Sequence, residues 1–457
     1  MDHDPLMLGV SGMRGTVDGS LTRDAVANIA AAFALWLKNQ VKDRRPKVLF
    51  ARDSRPSGPW LRTIVSQELV NSGIELIDLD IVTTPGAAMM VRHLAADGAV
   101  VATASHNPSQ WNGLKFLNSH GCAPPASQAA EIIALYNQQA KSFVDQKDQL
   151  PPQQNAETHA LHVRRILEHV DVLGISSRRY RVVLDSVNGA GCVATSTLLS
   201  KLGCQLIHIN GTPNGIFTHD PEPTEKNLTQ LAEEVTRRKA AVGFAQDPDG
   251  DRLAIVDETG RYIGEEYSLV LAARWLLSRR PGIAVANLSS SRMLDDVAAT
   301  HKSRVLRTPV GEAHVIATML RENAVVGGEG NGGVIDPRIV PGRDSLVGIA
   351  FILQLLAATN KSISQLVAEI PKYEIIKTKF PCAPGSAPKA VAALKAEFKN
   401  EKVDLQDGIR IDWPDTWVHA RASNTEPIMR IIAEAPDRAK ADACIARVRK
   451  IVDSSLV

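Results

Sequence analysis

Short, unbroken apolar runs alternate along most of the chain with stretches whose apolar residues return at helical spacing. The segment 24–40 predicts an amphipathic helix, and KVLFARDSR (47–55) a strand running into a charged loop. Helical stretches at 60–73 and 84–96 flank the strand IELIDLDIV (74–82). GAVVATASHNP (98–108) reads as a strand that ends in a turn. Strands without polar alternation, separated by helices, predict a parallel sheet covered on both faces. A polar segment from Gln138 to His159 reads as a helix end and linker.

The alternation then restarts twice. RYRVVLDSVNGAG (179–191) is a strand with a glycine-rich turn, and a helix (192–203), a strand (204–211) and a helix (227–240) lead into AVGFAQDPDGDRLAIVDETG (241–260). The next round has a helix over 265–280, strands at 282–291 and 304–312, a helix to Asn323, the strand AVVGGEGNGG (324–333) and a long helix over 344–359. The final stretch differs: GIRIDW, TWVHARAS and IMRIIAEA follow one another as strands, and a helix over 437–452 closes the chain. That is an α+β signature, a small antiparallel sheet with helices on one side. The expected units are therefore α/β over 1–150, 151–258 and 259–370, and α+β over 371–457. Ligands of open α/β sheets sit beyond the carboxyl ends of the strands, so the loops there carry the chemistry.

Composition narrows the class. A chain of 457 residues is too long for one core and predicts about three or four domains. A net charge of +2 excludes a partner held by bulk electrostatics, so no nucleic acid is expected. The first residues lack the basic and then apolar signature of a signal peptide. The apolar runs 25–37 and 346–359 are shorter than the ~20 residues a membrane span needs, so no membrane is expected. Five scattered cysteines without a CxxC pair suit reduced thiols in the cytoplasm.

The sharpest stretch is DPDGDR, in which Asp247, Asp249 and Asp251 alternate between apolar runs. Three carboxylates on a tight Pro/Gly loop can converge on one hard cation, Mg²⁺ before Ca²⁺. Arg252 stands where an EF-hand needs glycine, and the flanks read as strands, which excludes that motif. VVATASHNP places Ser105 and His106 at a strand end. Adjacent side chains of an extended chain point oppositely, so the pair is not by itself a nucleophile–base dyad; beside a cation, the serine oxygen becomes a natural phosphoryl acceptor. GGEGNGG contains G-x-G-x-x-G, but two prolines follow where a dinucleotide-binding motif needs a helix. The loop instead offers Glu329 and Asn331 to a polyhydroxylated ligand. HARASNTEP gathers Arg421, Ser423, Asn424 and Thr425, the donors that a phosphate monoester wants, though a polar hairpin turn would look the same. Arg14, Arg52, Arg55 and Lys115 are single basic residues that would each pass for surface.

Together SGMRG, TASHNP, DPDGDR, GEGNGG and RASNTEP, in this order, resemble the α-D-phosphohexomutase superfamily, from Gly9 to the C-terminal helix. The resemblance implies three α/β domains with mixed sheets plus a smaller C-terminal α+β domain around a central cleft. It implies that Ser105 carries a phosphoryl group and that Mg²⁺ bridges it to Asp247, Asp249 and Asp251, with Arg252 holding the phosphoserine. The implied reaction moves phosphate between the 1- and 6-positions of a hexose through a bound hexose 1,6-bisphosphate. Arg421, Ser423, Asn424 and Thr425 would hold the fixed phosphate, and Glu329 and Asn331 the ring hydroxyls. Lys115 and Arg14 would serve proton transfer and charge stabilisation, and His106 would support the serine loop. The partner is a small sugar phosphate; a homodimer is left open. The sugar loop lacks the histidine of many bacterial glucose/mannose or glucosamine mutases, and Glu312 could favour a protonated 2-amino group or hold a turn. Glucosamine phosphate ranks first, then glucose or mannose phosphate. A Mg²⁺-dependent phosphatase or a sugar-phosphate binding protein would not use all four loops.

Overall fold

The computed structural model describes residues 5–456 apart from 11, 384 and 424–427. Four sheets follow one another along the chain. In the first, of seven strands, the middle is parallel as the apolar runs predict: Lys47–Arg52 lies between Glu75–Ile81 and Gly98–Ala102. Its flank is antiparallel. Trp111–Asn118 pairs with both Gly98–Ala102 and Gly12–Thr16, which turns back on Met7–Gly9. Neither antiparallel strand stands out in the sequence, because Asn112, Gly113 and Lys115 interrupt the apolar run of Trp111–Asn118. Gly113 has its own reason: a Cβ there would lie 2.1 Å from the Met13 carbonyl oxygen. Within the expected linker, Gln153–Gln154 adds a short parallel edge strand beside Glu75–Ile81, and a helix begins at Thr158.

The second sheet has the order Leu253–Asp257, Val242–Gln246, Arg181–Asp185, Gln205–Ile209, and the third Arg304–Thr308, Ile283–Asn287, Val326–Glu329, Gly333–Ile335. Each is parallel except for one antiparallel hairpin. The two hairpin connections are the DPDGDR loop and Gly330–Gly332, so both chemistry-bearing loops are held at both ends by a sheet. The fourth sheet is antiparallel throughout, as expected of the α+β unit. Three elements of this unit are not evident in the sequence pattern, the strands Glu374–Pro381 and Lys402–Asp404 and the helix Ala387–Glu397.

One apolar core runs from Leu49 to Ile370 through the first three sheets, and the last sheet has a separate core with the helix Arg438–Leu456. The helix Ser345–Thr359 is apolar on every side and almost wholly buried, as a strut through the middle of a protein must be. Asp344 caps it by accepting from the Leu346 and Val347 amides, and His162 Nε2 lies 2.6 Å from its other oxygen. Ser345 Oγ then donates to the Gly250 carbonyl at 2.6 Å and accepts from Gln246 Nε2 at 2.6 Å. The strut thus buttresses the DPDGDR loop. Among the described residues no helix is long and apolar enough to cross a membrane.

Candidate active site

Ser105 follows the parallel strand Gly98–Ala102 and sits at φ +51°, in the left-handed region. That conformation costs a non-glycine residue ~1–3 kcal/mol and persists only where its surroundings impose it. Arg55 imposes it. Its guanidinium is fully buried, pairs with Asp53 at 3.0 Å, and donates to the carbonyls of Ser105 (2.6 Å), Asn107 (2.7 Å), Pro108 (2.9 Å) and Trp111 (3.1 Å). Thr103 Oγ1 accepts from the Ser105 amide and donates to Asp53. The turn also brings Ser105 Oγ to 3.3 Å from His106 Nδ1. The sequence reading put these side chains on opposite sides; it assumed an extended backbone, which the left-handed residue breaks. Burial, with Arg252 and Arg14 nearby, pushes the imidazole down to about 3, so His106 is neutral.

Ser105 Oγ donates to Asp247 Oδ2 at 2.7 Å. Asp247, Asp249 and Asp251 are all buried, and one oxygen from each lies within 4.8 Å of the others. Gly250, at φ +71°, makes the turn between them, and a Cβ there would meet Thr83 Cγ2 at 2.7 Å. Part of the compensating charge comes from the chain itself. Lys115 Nζ lies 2.6 Å from Asp249 and 3.1 Å from Asp251, and Arg343 donates to Asp251 at 2.7 Å. Burial works against the Lys115 ammonium, but Asp249 and Asp251 more than offset it and raise its pKa. Burial and its two carboxylate neighbours push Asp247 well above the usual range. Oδ1 of Asp249 and Oδ1 of Asp251 have no hydrogen-bond partner among the described residues. Buried, unpartnered carboxylate oxygens are costly, and an all-oxygen donor set fits a hard divalent cation.

Arg343 went unread in the sequence, yet it joins the loops. Besides Asp251 it reaches Glu329 Oε2 at 3.1 Å and Asn331 Oδ1 at 3.4 Å. Glu312 accepts from the Arg343 amide at 2.7 Å and lies 3.4 Å from its guanidinium. Of the two readings of Glu312, the geometry favours the structural one. Arg421 Nε donates to Asp407 Oδ2 at 2.8 Å, and the same oxygen accepts from the Val310 amide at 3.1 Å. The next amide, Gly311, donates to Glu329 at 3.3 Å. A continuous polar chain therefore links Arg421 to Asp251 through Asp407, Glu329 and Arg343. Ser423 donates its amide to the Ile428 carbonyl; Asn424 and Thr425 lie outside the described residues. Arg14 Nη1 reaches Asn107 Oδ1 at 3.5 Å, and burial lowers its pKa. The Arg252 amide donates to Asp247 Oδ1 at 3.0 Å, and its guanidinium is 3.6 Å from Glu222.

Ser105, His106, Lys115, Arg14, Arg252 and the three aspartates thus gather in one place, with Glu329 and Asn331 joined through Arg343. Arg55, Thr84 and Arg343 complete that cluster. Thr84 donates to Asp249 at 2.6 Å. Arg55 and Thr84 stand just past strand ends, in the loops where ligands are expected, but no local pattern singles either of them out.

Comparison with known proteins agrees along the whole chain. Models of the four phosphoglucomutase/phosphomannomutase domains match residues 5–143 (domain I), 160–260 (domain II), 264–373 (domain III) and 378–451 (the C-terminal domain). A phosphoglucomutase/phosphomannomutase of Thermococcus kodakarensis is 36% identical over 454 residues, covering 98% of this chain and 99% of its own. A phosphoglucosamine/phosphogalactosamine mutase of Sulfurisphaera tokodaii is 32% identical over 456 residues, covering 98% and 99%. A crystal structure of a phosphoglucomutase/phosphomannomutase family protein from Burkholderia thailandensis superposes with a TM-score of 0.87 at 26% identity, covering 98% of each chain. With the four domain types in order and the serine, aspartate and sugar loops brought together, the chain belongs to the phosphoglucomutase/phosphomannomutase family of the α-D-phosphohexomutase superfamily and is an enzyme of that mutase class.

Proposed function

We propose that this enzyme interconverts hexose 6-phosphate and hexose 1-phosphate through phospho-Ser105 and a bound 1,6-bisphosphate. The observation that carries the reading is the hydrogen bond from Ser105 Oγ to Asp247, inside a carboxylate cluster with two oxygens left over. Asp247, Asp249 and Asp251 would hold Mg²⁺, which supplies charge stabilisation to the transferring phosphoryl group when bound. The bond between phosphorus and Ser105 Oγ breaks as one forms to the free sugar hydroxyl. Little covalent chemistry falls to the protein in such a loose transition state, and the proton of the sugar hydroxyl ends on the departing Ser105 Oγ, which restores the free serine hydroxyl. The bisphosphate turns over, and its other phosphate returns to Ser105.

Lys115 and Arg14 act as charges beside the reacting oxygens. Lys115 stays an ammonium while Asp249 and Asp251 face it. Arg252 grips the phosphoserine, and His106 holds the serine loop as a neutral partner. Glu329 and Asn331 accept from ring hydroxyls in either orientation. Arg421 and Ser423, with Asn424 and Thr425, hold the non-reacting phosphate. We take the domains as 1–150, 151–258, 259–370 and 371–457, with Gln153–Gln154 returning to the edge of the first sheet, and the five free cysteines suit a cytoplasmic enzyme.

Glucose and mannose phosphates come first as substrates. Glu312 is engaged by Arg343 and offers little to a 2-amino group, and the Thermococcus relative bears the glucose/mannose name. Glucosamine phosphate is the second reading, favoured by the names of the Sulfurisphaera and Methanopyrus kandleri relatives. Phosphorus NMR of a mixture of glucose-, mannose- and glucosamine-6-phosphate with Mg²⁺ and a trace of 1,6-bisphosphate tests both. The glucose and mannose signals should move to the 1-phosphate, and Ser105→Ala should move none. Conversion of the glucosamine signal alone would reverse the order of substrates. Release of free phosphate, or activity in Ser105→Ala, would overturn the mechanism.

A further inference from the structure

A cleft of about 630 Å³ opens where three helices end: Val172–Ser177, the last turn of Glu266–Arg279, and the last turn of Ser345–Thr359. Val170, Leu276 and Ala357 are among its apolar lining residues, and Arg178, Arg279, Arg280 and Arg338 line it as well. None of the residues placed in the active site lines it. The strut helix separates the two places. Its first residue, Ser345, supports the DPDGDR loop and its last turn borders the cleft, and 15 residues at ~1.5 Å each put the ends ~20 Å apart.

Arginines near helix ends often serve only to cap carbonyls. Arg178 does part of that, donating to the Ala357 carbonyl at 3.1 Å and to Asn360 Oδ1 at 2.9 Å, and Arg338 pairs with Asp336. Capping does not account for Arg279 and Arg280. Neither makes a side-chain hydrogen bond or ion pair with a described residue; Arg279 only lies over the Trp275 ring, 5.8 Å from its centroid. The one acid lining the cleft, Asp171, is turned to its own helix, accepting from the Gly174 amide at 2.9 Å. The cleft thus holds guanidinium charge in excess of carboxylate charge, beside apolar lining residues. Guanidinium forks match phosphoryl oxygens bidentately, and a concave positive site concentrates anions. The volume is that of a small-ligand site.

We propose that this cleft is a second binding site, separate from the active site, for a small phosphorylated anion. Its chemistry suits an inorganic polyphosphate or a sugar bisphosphate alike. The inference stands independently of the catalytic reading.

Calorimetric titration with inorganic pyrophosphate, in metal-free buffer, tests it on the full chain and on the double variant Arg279→Gln/Arg280→Gln. Neither residue belongs to the catalytic machinery, so turnover and melting temperature of the variant should match the parent. The parent should bind one more pyrophosphate per chain than the variant, and that extra site should weaken at least tenfold on raising salt from 50 to 200 mM. Displacement of the extra pyrophosphate by glucose 1,6-bisphosphate would assign the site to sugar bisphosphates, and failure to displace it to the inorganic anion. Equal stoichiometry and affinity in parent and variant would overturn the proposal. If the variant melts early, Arg279→Lys/Arg280→Lys keeps the charge: an extra site retained there supports the proposal, and its absence in a well-folded Lys variant and in the parent alike ends it.

Discussion

Arg55 shows how one side chain can set the shape of a reactive loop. It satisfies four carbonyls around Ser105 and is itself neutralised by Asp53, with the Phe217 ring 4.9 Å from its guanidinium. Breaking a fully buried ion pair from one side leaves an uncompensated charge and costs ~3–5 kcal/mol. Arg55→Met should therefore lower the unfolding free energy by about 3 kcal/mol or more in urea titrations. It should also reduce kcat by ~100-fold or more, since a displacement of about 1 Å at the nucleophile is enough for that. Adding Asp53→Asn should restore much of the stability and little of the activity. Recovery of activity in that double variant would show that Arg55 matters for folding alone. In the sequence Arg55 is one basic residue in a charged loop, and nothing in its neighbours reveals that it lies beneath Ser105.

At the scale of elements, the DPDGDR loop is a hairpin connection pressed between the strut helix and the helix Thr84–His93. The Thr84 amide donates to the Asp249 carbonyl at 2.9 Å, and Ser345 holds the Gly250 carbonyl. Gly250→Ala would need a positive φ of an L-residue and would bring its Cβ against Thr83 Cγ2. The strain is on the order of 1–2 kcal/mol, and the loop relieves it by moving the aspartates. The expected result is at least a tenfold rise in the Mg²⁺ concentration that half-saturates turnover, with a small loss of thermal stability. An unchanged Mg²⁺ requirement would mean that the aspartates do not hold the ion. The loop's three aspartates and its glycine are visible in the sequence. The two helices that clamp it are readable as helices at 84–96 and 344–359, but that they close on this loop is not.

At the scale of the whole molecule, the last unit meets the third through a few buried polar contacts. His419 Nδ1 lies 2.8 Å from Ser289 Oγ, and its Nε2 2.7 Å from the Asp407 carbonyl. Burial pushes this imidazole down to about 4. The folded state therefore holds it neutral while the unfolded chain takes up a proton below about 6.5. Stability from this group is complete above pH 6.5 and is lost as pH falls toward 4, with a slope approaching about 1.4 kcal/mol per pH unit. Melting temperature measured from pH 7.5 to 4.5 should fall accordingly, and His419→Asn should flatten the slope. The same interface passes through Asp407 to Arg421 and the Val310 amide. Asp407→Asn should raise KM for the sugar phosphate by ~10-fold with kcat changed little, because it loosens a binding group and not the phosphoryl transfer. A fall in kcat at constant KM would place Arg421 in the chemistry instead.

Much of this protein is readable before any fold is known. Apolar runs without alternation demand strands buried on both faces, and glycine and proline punctuation marks their ends, so the three α/β rounds and the antiparallel finish follow from local pattern. The reactive loops are equally visible, because three close aspartates between strands, or a glycine-framed acid, break the apolar pattern where a strand stops. The antiparallel strands at 12–16 and 111–118 are hidden, since their polar and glycine positions are explained only by the neighbours they cross. So are Arg55, Arg343 and Asp407: each is an ordinary charged residue until folding buries it beside groups far away in the chain. Burial and distance give a charge its partner, and both are properties of the tertiary structure.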